Sequence, residues 1–252
     1  MTSSLASSTR RAYWRLANIV KAGAKSAYPA DYSPAEIETI ECVREKTMTT
    51  TERIVALVRA LEYLTTHQVR GDIVECGVWK GGSMMAAALT LKRLGRTDRT
   101  LHLYDTFDGM PPPTDVDKAR FGITAAKMMA VQDKGSMIWA RAQLDEVQEN
   151  MRTTGYPEGR IRYIKGKVED TIPGHVPDLI ALLRLDTDWY ESTKHELEQL
   201  FPRLVPGGVL ILDDYGHWDG ARRAVDEYIA ANRLPLLLCR VDMSGRIAIK
   251  AT

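Results

Sequence analysis

The sequence predicts an α/β fold in which a mostly parallel sheet of seven strands is covered by helices on both faces. Three observations predict it. Short apolar stretches alternate with helical patterns from Gly71 onward, turn residues separate these stretches, and a hairpin signal stands near the end of the chain. The 252 residues, 44% of them hydrophobic, suffice for one such domain with additions.

Two helices are predicted before the first strand. Ser33-Pro34-Ala35-Glu36 is a capping box with proline at the first helical position, and Thr49-Thr50-Thr51-Glu52 repeats the pattern. An apolar helical stripe begins soon afterwards, at Ile54. We therefore predict an N-terminal helical extension over residues 1–66 and a main domain over residues 67–252.

The start of the chain has basic side chains but no acidic ones before Asp31, the bases being Arg10, Arg11, Arg15, Lys21 and Lys25. Apolar residues from Tyr13 to Val20 share one helical face. Two interpretations stay open: a targeting segment or membrane-surface helix, and a helix that packs on the domain or on a sister subunit.

Five apolar stretches are predicted to form the parallel part of the sheet, namely 73–76, 101–104, 161–164, 179–185 and 209–212. Helical patterns lie between most of them, including 84–94, which Gly95 closes, and 193–204, which Pro206-Gly207-Gly208 closes. Their alternation with strands requires crossover connections, which make neighbouring strands parallel.

A hairpin is predicted at the end of the chain. After a helix at 221–231, the stretches 236–241 and 246–249 flank Met243-Ser244-Gly245. A parallel sheet that ends in an antiparallel hairpin is the outline of the Rossmann-like class I methyltransferase fold.

Charge and cysteine content argue against several classes of protein. Thirty-four Lys and Arg against 33 Asp and Glu give a formal net charge of +1, so we expect no general attraction to nucleic acid. Cys42, Cys76 and Cys239 form no C-x-x-C pair, which is typical of a reducing cytoplasm. No apolar run approaches the roughly 20 residues that span a bilayer, so we do not expect an integral membrane protein.

A glycine-rich loop follows the first predicted strand and opens a helix, the position at which open α/β sheets bind ligands. It contains Glu75, Gly77, Gly81 and Ser83 in the pattern E-x-G-x-x-x-G, which differs from the G-x-G-x-x-G of dinucleotide enzymes. The glycines permit a sharp turn and a close backbone approach. Glu75 suits an α-ammonium group, and helix N–H groups with Ser83 suit a carboxylate, so an amino-acid zwitterion fits better than a phosphate.

Two further positions are predicted to contact the same ligand. Asp105 ends the second strand, where an acidic side chain accepts hydrogen bonds from both ribose hydroxyls. Gly166 follows the third strand and is expected to border an adenine. The order of these signals predicts an S-adenosylmethionine site.

Two pairs of acids are predicted to meet beside that ligand. Asp186 and Asp188 follow the fourth strand, and Asp213 and Asp214 follow the fifth. Four converging carboxylates repel one another unless they are protonated or bridged by a cation, and a hard divalent ion such as Mg²⁺, with Mn²⁺ as the alternative, suits oxygen ligands. Such an ion ionises a bound hydroxyl, and a nearby base removes its proton. Each acid taken alone is equally compatible with a helix cap.

The long insertion at residues 106–150 is predicted to be a lid or substrate loop. Its methionines, among them Met110 and Met128, suit an adaptable apolar cover. Packing on the core or across a dimer is the equally weighted alternative, and we expect a homo-oligomer, with a dimer favoured.

The sequence resembles the macrocin, mycinamicin and noviose type of sugar O-methyltransferases from about Thr47 to the end. The motifs that carry the resemblance are V-E-C-G-V-W-K-G-G, L-R-L-D-T-D-W-Y-E-S-T and I-L-D-D-Y-G-H-W-D-G-A-R-R-A-V. It implies S-adenosylmethionine and Mg²⁺ as cofactors and a sugar or glycosylated small molecule as the substrate. It also implies Asp186, Asp213 and Asp214 as metal ligands and Asp188 as the general base, and it supports the cofactor contacts predicted above. Asp186 is predicted to contact the cofactor as well, and His217 is the alternative base, ranked below Asp188.

Three rival functions are weighed against this prediction. Asp186-Thr187-Asp188 matches the D-x-D motif of nucleotide-sugar glycosyltransferases, but that class does not require the glycine loop. A non-catalytic binding module that kept the cofactor-binding fold is disfavoured because both acid pairs and the glycine loop are intact. Methylation of nucleic acid is disfavoured by the balanced charge and by the absence of an N-P-P-Y-like motif.

Overall fold

The computed structural model describes residues 28–119 and 122–251, so the predicted basic helix near Tyr13 lies outside the described residues. By its contacts the chain divides into two units, Met1–Ile37 and Glu38–Thr252. In the first unit the predicted capping box is present. The N–H of Ser33 donates to Glu36 Oε2 at 2.6 Å, and the N–H of Glu36 donates to Ser33 Oγ at 3.2 Å.

The helices are α1 Pro34–Val43, α2 Thr51–Thr66, α3 Gly82–Arg93, α4 Ala125–Ala130, α5 Leu144–Thr153, α6 Val168–Thr171, α7 Tyr190–Leu200 and α8 Asp219–Ala231. The strands are β1 Asp72–Cys76, β2 Leu101–Asp105, β3 Ile161–Lys165, β4 Ile180–Leu185, β5 Leu204–Leu212, β6 Cys239–Arg240 and β7 Arg246–Ile249. Short 3₁₀ turns occupy Met137–Trp139, Glu158–Arg160 and Phe201–Arg203.

The strands form one seven-stranded sheet in the order β3-β2-β1-β4-β5-β7-β6. The first five strands are parallel, and β7 runs antiparallel to β5 and to β6. The predicted fold class is therefore confirmed. The strand order reverses between β1 and β4, and ligands of open α/β sheets bind at such a switch point, beyond the carboxyl ends of the strands.

The centre of the sheet is buried on both faces, as crossover helices require. All six residues of β4 are buried, including the charged Arg184. Helix α2 begins one residue later than its predicted capping box, because the N-cap is Thr50, which accepts a hydrogen bond from the N–H of Arg53 at 3.3 Å, while the hydroxyl of Thr49 donates to Asp213. This helix was predicted to belong to an extension, and it lies within the unit Glu38–Thr252, where it packs on α3 and β5.

The predicted boundaries differ most from the structure at three places. Strand β5, predicted over 209–212, begins at Leu204 and includes Pro206-Gly207-Gly208, which was predicted to close the preceding helix. The helix predicted to reach Leu204 ends at Leu200, and a 3₁₀ turn then leads into β5, because Pro202 lacks the N–H that continues a helix. The first hairpin strand was predicted over 236–241 but spans Cys239–Arg240. The N–H of Leu236 instead donates locally to Leu234 O at 2.9 Å, so that region turns before it pairs.

Among the helices of the described residues, none combines the length and the apolar character needed to cross a bilayer.

Candidate active site

A cavity of about 480 Å³ lies beyond the carboxyl ends of the parallel strands, within the size range of small-molecule sites. Its wall contains most of the predicted cofactor residues, namely Glu75, Gly77, Ser83, Asp105, Gly166 and Asp186. The acids Asp188, Asp213 and Asp214 line it too. Of the predicted residues, all of which the structure describes, only Gly81 lies away from this wall. The fold thus gathers the two acid pairs and the glycine loop at one place.

Gly77 allows the end of β1 to touch the end of β4. Its φ of +79° lies in the left-handed region, and a Cβ added there would lie 2.0 Å from the backbone oxygen of Asp186. The N–H of Asp186 donates to Cys76 O at 2.9 Å and completes the contact. A side chain at position 77 would therefore push the acid loop away from the cofactor loop.

The other two loop glycines serve packing within the protein. Gly81 has a φ of +84° at the N-cap of α3, and its added Cβ would lie 3.1 Å from Val147. An added Cβ on Gly82 would lie 2.4 Å from the backbone oxygen of Lys46. That Gly81 lets the backbone approach a ligand closely stays a prediction, since these contacts concern only the direction of a side chain. Ser83, which follows them, is buried and faces the cavity.

Asp105 holds the glycine loop in place from the neighbouring strand. Its Oδ2 accepts from the N–H groups of Val78 at 2.8 Å and Trp79 at 3.1 Å, and its Oδ1 accepts from Phe107 N–H at 2.7 Å. Burial raises the pKa of Asp105, and these three backbone donors oppose that rise. The N–H of Gly166 donates to the backbone oxygen of Asp105 at 3.0 Å, which ties the third strand end to the same point.

Three of the four acids converge. Carboxylate oxygens of Asp186, Asp188 and Asp214 all lie within 4.8 Å of one another. Burial, with the charges of neighbouring acids, raises the pKa of both Asp186 and Asp214 well above their usual range. Asp214 Oδ2 is buried without a hydrogen-bond donor among the described residues. An oxygen-only, negatively charged cluster with an unpartnered oxygen fits a hard divalent cation.

Asp213, the remaining predicted metal ligand, faces two guanidinium groups. It pairs with Arg53 from α2 and with Arg184 from β4, and Thr49 Oγ1 donates to its Oδ1 at 3.1 Å. Asp213 and Arg184 are both nearly fully buried, so this pairing offsets charge that water would otherwise solvate. The structure therefore separates Asp213, by its partners, from the three converging acids.

Arg184 connects the cofactor loop with both acid pairs. Its Nη1 donates to Glu75 and, at 2.6 Å, to Asp186 Oδ2, while its Nη2 donates to Asp213. Burial alone would lower the pKa of Arg184, but the charges of these three acids raise it well above its usual range. Burial raises the pKa of Glu75 to about 7, against the opposing effect of Arg184.

Asp188, the predicted general base, sits in a strained turn at the cavity wall. Its φ is +67°, a region that few non-glycine residues occupy. Burial, aided by the charge of Asp186, raises its pKa to about 7, and hydrogen bonds with Asp214 and Trp218 oppose that rise. His217 also lines the cavity, and burial with the nearby charge of Arg53 lowers its pKa. Both candidates for the base therefore lie beside the acid cluster.

Several residues of the site were not predicted from the sequence. Thr49 and Arg53 come from the segment before the sheet, and Ser244 comes from the hairpin, where its Oγ donates to Asp213 O at 2.6 Å. Thr49 belongs to the predicted capping box and Ser244 to the predicted hairpin turn, but neither pattern indicates a contact with Asp213, and Arg53 belongs to no predicted site motif. Arg184 did carry a signal, because a charge inside an otherwise apolar strand requires a buried partner.

The insertion predicted as a lid supplies apolar wall on one side of the cavity. Met110, Met128, Met137 and Ile138 line it. Behind them Trp189 and Trp218 pack edge to face, with ring centroids 5.0 Å apart. Of the aromatic residues near the motifs, Trp79 and Trp218 face the cavity, while the hydroxyls of Tyr190 and Tyr215 donate to Glu227 and Asp226 on α8.

The model of one protein family, described as macrocin O-methyltransferase (TylF), matches residues 38–248 of the chain. The chain belongs to the macrocin O-methyltransferase family. The resemblance inferred from the motifs is thereby confirmed, as is the prediction of an enzyme that transfers a methyl group to oxygen.

Two curated members of this family show the degree of similarity. The chain is 35% identical over 199 residues to the 8-demethyl-8-(2,3-dimethoxy-α-L-rhamnosyl)-tetracenomycin-C 4'-O-methyltransferase of Streptomyces olivaceus, which covers 79% of this chain and 73% of the relative. It is 32% identical over 199 residues to the mycinamicin III 3''-O-methyltransferase of Micromonospora griseorubida, with 79% and 76% covered.

A solved structure shows the same likeness in three dimensions. The O-methyltransferase NovP superposes on 82% of this chain and 83% of its own, with a TM-score of 0.72 and 31% sequence identity. The macrocin O-methyltransferase fold of this chain is thus supported by sequence and by architecture.

Proposed function

We propose that the chain uses S-adenosylmethionine and Mg²⁺ to methylate a sugar hydroxyl of a glycosylated small molecule. The observation that carries the proposal is the position of the acid cluster, which lies in the same cavity as the glycine loop and Asp105. A methyl donor held by the loop would lie beside an acceptor held by the acids. The relatives named above act, by their names, on sugar-bearing natural products.

The cofactor side of the cavity fits a zwitterion joined to a nucleoside. Ser83 and the start of α3 offer hydrogen-bond donors for a carboxylate, since a helix N-terminus has unpaired N–H groups. Glu75 and Asp186 are the acids available to an ammonium group, and Asp105 is the acid available to ribose. We assign these residues, with Gly77 and Gly166 as close-packed wall and Gly81 at the loop end, to S-adenosylmethionine.

The acceptor side of the cavity fits an apolar molecule that carries a polar sugar. Methionines line that side, with Met48 and Met243 added to the three from the insertion. Flexible thioether side chains adapt to an irregular apolar surface. Trp218 lies in the apolar cluster on which Met110 and Met128 pack and hydrogen-bonds with Asp188, so a sugar ring that rested against Trp218 would lie near the acids.

The acids fit a magnesium ion, with Asp186 and Asp214 as the ligands common to the predicted set and to the converging cluster. Asp213 would complete the predicted set of metal ligands if its carboxylate contacted the ion in place of Arg53 or Arg184. When bound, the ion would supply positive charge that lowers the pKa of the acceptor hydroxyl, and S-adenosylmethionine would supply the methyl group as a sulfonium.

The residues of the chain then have three tasks. Asp188 accepts the proton of the acceptor hydroxyl at its carboxylate, and a base with a pKa near neutrality suits that transfer. The loop at Gly77 and the acid loop fix the two reactants relative to each other through their direct contact. The apolar insertion excludes water from the reacting hydroxyl.

Incubation of the purified chain with S-adenosylmethionine, Mg²⁺ and a panel of glycosides tests the proposal. The panel contains mycinamicin III, demethyldecarbamoylnovobiocin and the rhamnosyl tetracenomycin, the acceptors that the relatives' names give. Mass spectrometry with fragmentation should place one added methyl group on the sugar. Methylation of the aglycone alone, or calorimetric binding of UDP-sugars in place of S-adenosylhomocysteine, would contradict it.

A further inference from the structure

Asp117, in the insertion between β2 and α4, joins two parts of the chain through its buried carboxylate. The residue is fully buried. Its Oδ2 accepts from the N–H and from the hydroxyl of Thr114, both at 2.7 Å, and its Oδ1 accepts from the N–H of Tyr190 at 2.8 Å. One oxygen therefore holds the insertion and the other holds α7.

The contact with Tyr190 acts as a helix cap that comes from a distant part of the chain. Tyr190 is the first residue of α7, and the N-cap residue Trp189 makes no capping hydrogen bond with its side chain. The first N–H groups of a helix have no partner within it, and a carboxylate there is also favoured by the helix dipole. Asp117 supplies the missing cap by accepting from the N–H of Tyr190. Tyr190 lies two residues after the strained Asp188.

The same stretch of the insertion also docks on the start of α8. The N–H of Asp219 donates to Lys118 O at 2.9 Å, and Ala119 forms an antiparallel bridge with Trp218. A Cβ added to Gly220 would lie 2.1 Å from Asp117 Oδ1, so the carboxylate is seated against the backbone of α8. The insertion thus contacts the first turns of both helices that follow the acid pairs.

The other end of this stretch reaches the cavity. Trp189 Nε1 donates to Pro111 O at 3.0 Å, and Met110 and Pro111 line the cavity. The stretch from Met110 to Ala119 therefore runs from the apolar wall to the first turns of α7 and α8, the helices that follow the acid pairs.

We propose that Asp117 is a positioning residue that couples the insertion to the Asp188 turn, so that the apolar wall and the general base keep one relative position. Asp117 does not line the cavity and contacts no reacting atom. Its effect on turnover rests on the proposed function, whereas the coupling itself does not.

Three variants test the coupling by changing the carboxylate of Asp117 or, as a control, a nearby exposed acid. Asp117→Ala removes both connections. Asp117→Asn keeps the volume but has one accepting oxygen, so it retains one connection and loses the other. Asp115→Ala changes an exposed acid on the same stretch and is the matched control.

Two variants at Tyr190 isolate the donor. Proline is tolerated at the first position of a helix, and Trp189 already has the extended backbone that precedes proline, so Tyr190→Pro removes the N–H that Asp117 accepts. Tyr190→Ala keeps that N–H but loses the side chain that contacts Glu227, and so controls for the lost ring.

Hydrogen exchange of the amides at 114–119 and 191–193, which the parent and all the variants share, measures the coupling in the full chain. We expect roughly tenfold to hundredfold faster exchange in Asp117→Ala and in Tyr190→Pro, because each loses a hydrogen bond to a charged group. A double variant of the two should exchange no faster than Asp117→Ala. Unchanged exchange in Asp117→Ala, or additive effects in the double variant, would overturn the proposal.

Kinetics with the accepted glycoside then separate positioning from general destabilisation. Asp117→Ala should lower kcat by about tenfold or more while the Kd of S-adenosylhomocysteine stays within about twofold, since the cofactor residues are untouched. Asp117→Asn should fall between Asp117→Ala and the parent, and Asp115→Ala should match the parent. Equal loss of cofactor binding and kcat would contradict a positioning role. If no glycoside is methylated, the proposed function fails, and exchange still decides the coupling.

Discussion

The guanidinium of Arg184 on β4 donates to the carboxylate of Asp213, the residue directly after the adjacent strand β5. Both side chains are buried, and Arg184 also contacts Glu75 and Asp186. A single cation beneath the cavity therefore holds the strand ends that carry the cofactor loop and both acid pairs. The network explains how so many buried acids coexist in one fold.

Replacement of Arg184 by Met, which has similar length and no charge, should destabilise the protein by about 3–5 kcal/mol. Removal of Arg184 leaves the carboxylate of Glu75 buried without its cation and leaves Asp213 with Arg53 as its one remaining guanidinium partner. Urea unfolding at neutral pH measures the loss. Arg44→Met, at an exposed pair with Glu41, is the control and should cost under about 1 kcal/mol. A loss of that small size for Arg184→Met would show that the network contributes little.

Asp105→Ala should raise the Kd of S-adenosylhomocysteine by roughly 10- to 100-fold. The variant leaves the N–H groups of Val78 and Trp79 without their acceptor, so the glycine loop loses its anchor. The ribose of the cofactor also loses the carboxylate that is proposed to accept its hydrogen bonds. Isothermal titration calorimetry provides the measurement, with Asp98→Ala, an exposed acid paired to Arg96, as the control. A parent-like Kd would mean that Asp105 serves neither purpose.

Asp188→Asn should keep cofactor affinity and lose about 10²- to 10⁴-fold in kcat, because the amide cannot accept the hydroxyl proton. Single-turnover rates together with the Kd of S-adenosylhomocysteine check both parts. An unchanged kcat would remove Asp188 from the proton transfer and make His217 the next residue to test.

The metal-free protein should become less stable as the pH rises from about 4 to about 7. The pKa of Asp188 is raised from 3.8 to about 7, so in this window the folded state binds a proton that the unfolded state lacks. The contribution is complete below the unfolded pKa and is lost as pH rises through the folded one. In EDTA, the melting temperature of Asp188→Asn minus that of the parent should therefore increase from about pH 4 to about pH 7 and stay constant at higher pH.

Asp115→Asn serves as the control for that pH series, since this acid is exposed. Its melting temperature should follow the parent at every pH. A parent and an Asp188→Asn variant that keep a constant difference from about pH 4 to about pH 8 would show that Asp188 titrates in its ordinary range.

Much of the fold was predictable because its signals are local. The apolar stretches and the turns that end them predicted all seven strands, and the capping box that begins at Thr49 predicted the start of α2 to within one residue. The boundary errors arose where Pro202 and the turn at Leu236 overrode the apolar pattern, and where Pro206-Gly207-Gly208 lies within β5 and does not end a helix before it. Local patterns do not reveal such competition between overlapping signals.

The site was predictable only in the parts that motifs carry. The acids and the glycine loop follow strands, so the parallel sheet brings them together. Arg53 and Thr49 reach Asp213 across more than 150 positions of sequence, and no spacing rule indicates such a contact. The structure also shows that Asp213 faces cations while Asp188 joins the converging acids, a distinction of side-chain direction that neighbouring positions do not reveal.

Other conclusions from the sequence stay predictions. They are the homo-oligomer, the cytoplasmic location, the role of the basic start of the chain, and the extension boundary at residue 66. The exclusion of nucleic acid as a substrate rests on the balanced charge and on the absence of an N-P-P-Y-like motif.

The rate of methyl transfer as a function of free Mg²⁺ tests the central claim most directly. The enzyme is stripped with EDTA and then titrated with Mg²⁺ in the presence of S-adenosylmethionine and a glycoside acceptor, and product is followed by mass spectrometry. The account predicts no sugar methylation after chelation and recovery of the rate on addition of Mg²⁺, with Asp214→Asn requiring far more metal than the parent. Full activity after exhaustive chelation would contradict it.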